Sequence, residues 1–339
     1  MAQTGAFICG CEGTALNPAE RAFIREADPW GLILFARNID TPEQVRRLIE
    51  DFRHLTGRAA PVLIDQEGGR VQRLRPPHFT TWPAAAAYGR LWRADPLRAL
   101  KAARLVTWLM GRELAALGID VDCLPVLDVP QEGADPIIGD RAYATEPMTA
   151  ALLARAALSG LAAAGLAGVV KHIPGHGRAP CDSHAALPRV AAPLDELADV
   201  DFRPFAALAD APMAMTAHVV YEAIDPANPA TLSKQVIATV IRGRIGFAGL
   251  LMSDDLGMHA LSGSMRERTE RALAAGCDVV LHCSGDLAEM EQVAEAAGRL
   301  RGAAWRRAAA ATRRPEPVAL WPLEEAEALH QALITPTGA

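Results

Sequence analysis

The chain has 339 residues, half of them hydrophobic and 22% charged, with a formal net charge of −6. That length supports a large buried core, and the balance of apolar and charged residues is that of an ordinary globular protein. The acidic balance and the lack of a basic cluster exclude a polyanion-binding surface, so no nucleic-acid partner is expected.

In chain order, the opening Met1-Ala2-Gln3-Thr4-Gly5 lacks the basic and apolar regions of a secretory signal. No stretch approaches the roughly 20 apolar residues of a membrane span, so a cytoplasmic protein free of the membrane is expected. Short apolar runs then recur at 5–9, 31–35, 61–64, 119–124, 167–170, 213–216, 249–252 and 278–282. Between them lie Ala/Leu/Arg/Glu-rich stretches of helical length, among them 42–55, 97–117, 148–164, 194–208 and 287–300. The first of these has good start chemistry, with Thr41 as N-cap, Pro42 in the first turn and Gln44 three residues after the cap. Near-continuous apolar strands fit a parallel sheet buried on both faces. Eight strand–helix units predict a (β/α)8 TIM-type barrel that admits irregular strands, with a doubly wound open sheet as the alternative. No linker divides the chain, so residues 1–339 read as one catalytic domain. From about residue 313, Pro315, Pro317 and Pro322 mark a tail that wraps the surface or frays. The six cysteines, Cys9, Cys11, Cys123, Cys181, Cys277 and Cys283, form neither a disulfide framework nor paired zinc knuckles. They read as small buried hydrophobes of a reducing compartment.

Polar residues gather where the strands end. Asp65-Gln66-Glu67 follows strand three, with Arg73 beyond it; Asp128 and then Asp140-Arg141 follow strand four. Lys171-His172 ends strand five, His218 follows strand six, Ser253-Asp254-Asp255 ends strand seven and His282 lies in strand eight. A barrel collects its strand C-termini on one face, so these groups are expected to converge. The densest segment is Lys171-His172-Ile173-Pro174-Gly175-His176-Gly177 with Asp182-Ser183-His184, too broken by Pro and Gly to be helical. His172 and His176 have metal-like i,i+4 spacing, but Pro174-Gly175 removes the helix that such a pair needs, so no metal is expected. No glycine-rich dinucleotide loop, Walker loop or GxSxG elbow is present.

Two arrangements carry chemistry. A carboxylate at the end of strand seven, Asp254 or Asp255, suits attack on a sugar's anomeric carbon. Asp182, two residues before His184, suits orienting an imidazole that gives a proton to a leaving oxygen and later takes one from water. Lys171, Arg73 and Arg141 offer donors to hydroxyl or amide oxygens, and Asp65 accepts from hydroxyls. The second catalytic carboxylate of most glycosidases is missing.

At this point the chain resembles a known family. KHIPGHG-x4-DSH, LIDQEGGRVQRL, GLILFARNI, LPVLDV, MAMTAHVVY and MSDDLGM, in order between about 31 and 283, are similar to the bacterial β-N-acetylhexosaminidases of glycoside hydrolase family 3, in their short cytoplasmic cell-wall-recycling form. The resemblance implies a (β/α)8 barrel and a retaining double displacement. It implies Asp254 as nucleophile, His184 as acid/base with Asp182 as its partner, and Asp65, Arg73, Arg141, Lys171 and His172 around a terminal N-acetylglucosamine. The implied substrate is a small sugar, N-acetylglucosamine β-1,4-linked to 1,6-anhydro-N-acetylmuramic acid, with or without peptide. No metal or organic cofactor is implied, and a monomer is expected. Departures are Ile173 in place of a phenylalanine and an unusual Arg178-Ala179-Pro180-Cys181. Pro180 is expected to stiffen that loop, and Cys181 to make it sensitive to oxidation. Two other readings stay open: a phosphorylase, because a histidine acid/base does not repel phosphate, and a sugar-binding protein without catalysis.

Overall fold

A computed structural model of the chain describes residues 4–313, 316–319 and 322–334. Part of the opening segment read for a leader, residues 1–3, and Pro315 of the expected tail lie outside the described residues. Eight parallel strands close into a barrel in sequence order. They are β1 (Gly5–Cys9), β2 (Pro29–Leu34), β3 (Val62–Ile64), β4 (Val121–Asp122), β5 (Ala167–Ile173), β6 (Met213–Thr216), β7 (Leu250–Asp255) and β8 (Val279–His282). The ring closes where Phe7, Ile8 and Cys9 of β1 lie in register with Val280, Leu281 and His282 of β8. The barrel thus replaces the open-sheet alternative. Strand residues are buried on both faces, as a sheet filled inside and covered outside requires.

Helices follow the strands: α1 (Pro18–Ala27), α2 (Pro42–Thr56), α3 (Ala85–Ala94), α4 (Pro96–Leu117), α5 (Pro147–Ala163), α6 (Leu194–Asp199), α7 (Arg203–Ala207), a wider-pitched segment Val236–Arg244, α8 (Met265–Ala275) and, after β8, α9 (Leu287–Ala297). The start of α2 follows its sequence signal, with Thr41 Oγ1 accepting from Gln44 N at 3.3 Å and Gly57 closing the helix at φ 64°. Where one helix was expected over 194–208, α6 and α7 form instead. Pro204 cannot donate inside a continuous helix, but it suits the first turn of a new one. The strand expected over 119–124 shortens to β4, because Leu124 is followed by Pro125, which lacks the N–H that a ladder needs. Pairing resumes at Val126, which bridges Lys171.

Past β8 and α9 come α10 (Gly302–Ala311) and α11 (Leu323–Ile334), the second within the segment expected as a tail. Lys101 of α4 pairs with Glu325 of α11. His330 Nε2 lies 2.7 Å from Thr81 O, with its ring 4.7 Å from that of Trp82. The helix therefore braces the Pro-rich loop over 75–83, which follows directly on Arg73. All six cysteines are free thiols, four buried and two, Cys181 and Cys283, half-buried.

Candidate active site

The site begins where β3 ends. Beyond Asp65 the chain folds back on itself: Gln66–Gly68 pairs antiparallel with Val71–Gln72. Gly68, at φ 88°, makes the turn, and a Cβ there would lie 2.3 Å from Pro83 O. The return brings Arg73 to Asp65, Nη2 to Oδ2 at 2.9 Å, while Gln66 Oε1 accepts from the amides of Arg73 and Leu74. Lys171 reaches in from β5 with its side chain 2% exposed, its Nζ 2.8 Å from Asp65 and 2.7 Å from Glu67. Arg141 grips Glu67 in a two-bond fork of 2.8 and 2.9 Å. Arg73, Asp65, Lys171, Glu67 and Arg141 thus form one chain of alternating charge.

Burial alone would push Asp65 and Glu67 up. Lys171 with Arg73, and Lys171 with Arg141, outweigh it, holding Asp65 well below the carboxylate range and Glu67 at about 2. Burial would lower Lys171, yet Asp65 and Glu67 raise it above its ordinary value. Asp65, Glu67, Lys171 and Arg141 are therefore charged near neutrality.

His172, the next residue of β5, is fixed by Asp128. Its Nδ1 lies 2.6 Å from Asp128 Oδ2, and its backbone N–H donates to Oδ1 at 3.2 Å. A buried carboxylate there requires Nδ1 to carry the hydrogen, so Nε2 is the nitrogen left for a ligand. The same Oδ1 accepts the His176 N–H at 2.6 Å. Asp128 is held below its usual value against the opposing effect of burial, by His172 first and His176 after it.

The loop that follows is pinned along its first half. Gly177 O accepts from Gln131 N at 3.0 Å and Ala179 O from Asp135 N at 2.9 Å. Arg178 Nε donates to Asp201 at 2.6 Å, and its guanidinium also reaches Glu196. Gly177 is required by close approach, since a Cβ there would lie 2.0 Å from Val129 O. Gly177→Ala should force that strand of the loop outward and lower the melting temperature by several degrees, roughly the effect of 2 kcal/mol in a domain of this size. A melting curve superimposed on that of the wild type would contradict the packing described.

The outer half carries Asp182, whose Oδ1 accepts both the Nδ1–H of His184 at 2.7 Å and its backbone N–H at 2.9 Å. The His184 side chain is 63% exposed. Asp182 is held below its ordinary value: burial acts to raise it, and the hydrogen bonds and charge of His184 prevail. Cys181 is pushed up by burial, Asp135 and Asp182, which keeps the thiolate scarce and runs against the oxidation sensitivity expected for it.

At the end of β7 the two aspartates divide their roles. Asp255 Oδ1 accepts from the amides of Gly257 and Cys283, both at 3.0 Å. Its carboxylate is thereby used in joining the ends of β7 and β8. Asp254 Oδ1 accepts the N–H of Asp255 at 2.8 Å, and no donor among the described residues reaches its Oδ2. His218 is buried and held neutral-leaning by that burial, with Nδ1 2.6 Å from Thr231 and Nε2 2.9 Å from Asp255 O.

These groups meet at one cavity of 390 Å³, within the roughly 300–1,000 Å³ of small-molecule sites. Asp65, Arg73, Arg141, Lys171, His172, His184 and Asp254 all line it; Asp182 stands behind His184. Sequence reasoning passed over three contributors. Glu67 was visible beside Asp65, but only the structure shows that it links Lys171 to Arg141. Asp128 was noted as a strand-end residue without its grip on His172. Phe35 lines the cavity with the Arg73 guanidinium 5.0 Å over its ring, and an aromatic following an apolar run gives no sequence signal of that use. Among the described residues no group of three or more His, Cys, Asp or Glu comes together to hold a metal ion.

Residues 9–314 match the glycosyl hydrolase family 3 N terminal domain. The chain is similar to a beta-hexosaminidase of Alkalilimnicola ehrlichii, 42% identical over 284 residues that span 83% of this chain and 81% of that protein. It is 41% identical to a beta-hexosaminidase of Pseudomonas aeruginosa over 300 residues, 88% of this chain and 87% of the relative. NagZ from Neisseria gonorrhoeae, solved with N-trifluoroacetyl-D-glucosamine, superposes with a TM-score of 0.85 at 31% identity, covering 98% of this chain and 95% of that one.

Proposed function

The chain belongs to glycosyl hydrolase family 3 and is a β-N-acetylhexosaminidase; on that premise we propose that it removes terminal N-acetylglucosamine from β-1,4-linked 1,6-anhydro-N-acetylmuramyl muropeptides, with retention of configuration, in peptidoglycan recycling. The observation that carries the residue roles is that Asp254 and His184 line one cavity whose remaining polar wall is the Asp65–Lys171–Glu67 charge chain with its two arginines. Asp65, Arg73, Arg141, Lys171 and His172 bind the sugar: the carboxylate accepts from hydroxyls, and the cations donate to hydroxyl or acetamido oxygens. Asp254 attacks the anomeric carbon through Oδ2, the oxygen that accepts from no donor among the described residues. His184 gives its Nε2 proton to the departing glycosidic oxygen, while Asp182 stabilises the imidazolium form through Nδ1–H. The resulting glycosyl ester on Asp254 is opened by a water that returns its proton to His184, which restores both groups.

Among the described residues no helix is long and apolar enough to cross a membrane. The recycling role assigns the enzyme to the cytoplasm, working as a single-domain monomer on soluble fragments, without metal or organic cofactor.

The test is the leaving group. His184→Ala should lower kcat/KM about 10²-fold or more for an alkyl N-acetylglucosaminide, whose oxygen needs a proton to depart, and less than tenfold for a dinitrophenyl glycoside, whose oxygen does not. Equal losses on both would remove His184 from the acid role. Wild-type product in phosphate buffer should be free N-acetylglucosamine, formed first as the β-anomer; sugar 1-phosphate would make the protein a phosphorylase.

A further inference from the structure

Between Cys181 and Leu187, on the loop that carries the Asp182–His184 pair, a single side chain is buried: Ser183, 3% exposed. It points away from its two neighbours' surroundings and into the fold, with Oγ 3.0 Å from His176 Nε2. His176 is itself 4% exposed, its backbone N–H is held by Asp128, and its ring lies edge-on to His172 at 5.8 Å. The carbonyls of Ser183 and His184 rest on the loop after β7: Ala260 N reaches Ser183 O at 3.3 Å and His259 N reaches His184 O at 3.4 Å. These two backbone bonds are long, so the shorter Ser183–His176 bond is the firmest tie between this end of the loop and the barrel among the described residues.

The hydrogen placement follows from burial. Desolvation pushes His176 down to about 4, so the ring is neutral, and its buried Nδ1 has no partner. An orphaned buried N–H costs more than an orphaned lone pair. The hydrogen therefore resides on Nε2 and is donated to Ser183 Oγ. A neutral ring with one fixed donor gives a bond that does not change across the working pH range.

We propose that His176 and Ser183 are positioning residues, forming a latch that sets how far His184 reaches into the sugar cavity. The latch shares Asp128 with His172, so one carboxylate fixes both the imidazole that holds the sugar and the anchor of the imidazole that moves the proton. Neither His176 nor Ser183 is among the residues that line the cavity. The inference rests on the acid/base reading of His184.

Ser183→Ala removes the acceptor while leaving the backbone ties. The variant should still fold and melt only a few degrees below the wild type, the cost of leaving the His176 Nε2–H without its acceptor. Its kcat/KM for an alkyl N-acetylglucosaminide should fall about tenfold, and that for the dinitrophenyl glycoside should stay within about twofold, because only the first needs the proton on time. Wild-type values on both substrates would overturn the latch. Equal losses on both would overturn it too, as they would mark general disruption of the pocket. His184→Ala, assayed beside it, separates the two levels. If that variant shows the leaving-group dependence and Ser183→Ala does not, the latch alone is wrong. If His184→Ala shows none, the acid/base reading has failed, and the latch with it.

Discussion

Asp254→Ala should lower turnover of aryl N-acetylglucosaminides by about 10⁴-fold or more, the largest effect of any single change in this site, because under the proposed double displacement the variant lacks the atom that would form the covalent intermediate. The fold should survive the change. Asp254 accepts only the N–H of its own neighbour, whereas Asp255 ties the end of β7 to Gly257 and Cys283. Deleting Asp254 leaves those ties in place, so melting should remain near the wild-type value while activity vanishes. A slow fluorosugar substrate should label the wild-type protein on the peptide that contains 250–255 and leave the variant unlabelled. A variant that retains near-normal turnover, or a label mapped elsewhere, would remove Asp254 as nucleophile.

The choice between the two adjacent aspartates shows where the sequence stops. Alternating runs and strand-end polar residues announce the barrel and the face on which the site forms, since a strand buried on both faces has no other place for Asp65, Lys171 or Asp254 to meet water. What sequence does not contain is the pairing across the ring. Lys171 and Asp65 are 106 positions apart, and Arg141 and Glu67 are 74 apart. Which carboxylate meets which cation depends on the register of β3 against β4 and of β4 against β5. Hence Glu67 and Asp128 were legible as polar strand-end residues but not as the groups that orient Arg141 and His172. The helix breaks were missed for a local reason: in an Ala/Leu-rich stretch a proline near position 204 reads as a blemish in one helix until the turn before it is seen. The resemblance to a family supplied the roles of Asp254 and His184. The geometry adds that Asp255, which lines the cavity beside Asp254, has one oxygen committed to two backbone amides, whereas Asp254 accepts from one.

Lys171→Met should be the most destabilising change in the site. The substitution keeps most of the unbranched stem and removes its charge. Lys171 is 2% exposed and serves Asp65 and Glu67 together, so its loss leaves each buried carboxylate with one arginine instead of two cations. Breaking a buried ion pair by removing one partner costs on the order of 3–5 kcal/mol, and the surviving arginines argue for the lower end. The sign of the pH dependence identifies the cause. In the wild type, Asp65 and Glu67 are depressed, so their contribution is present above their unfolded values of roughly 4 and is lost only as pH falls through the lower folded values. Lys171 is raised, so its contribution is complete below its unfolded value of roughly 10.4 and is lost as pH rises through the folded one. Between those limits the wild-type cluster contributes fully and adds no slope. Without Lys171, burial becomes the larger influence on both carboxylates and their folded values rise, so protonation then favours the folded state. The stability gap between variant and wild type should therefore be widest near pH 7 and narrow on going to pH 5, measured as the difference in urea midpoints at the two values. A gap of the same size at both would mean that the buried lysine stem matters to the fold and its charge does not.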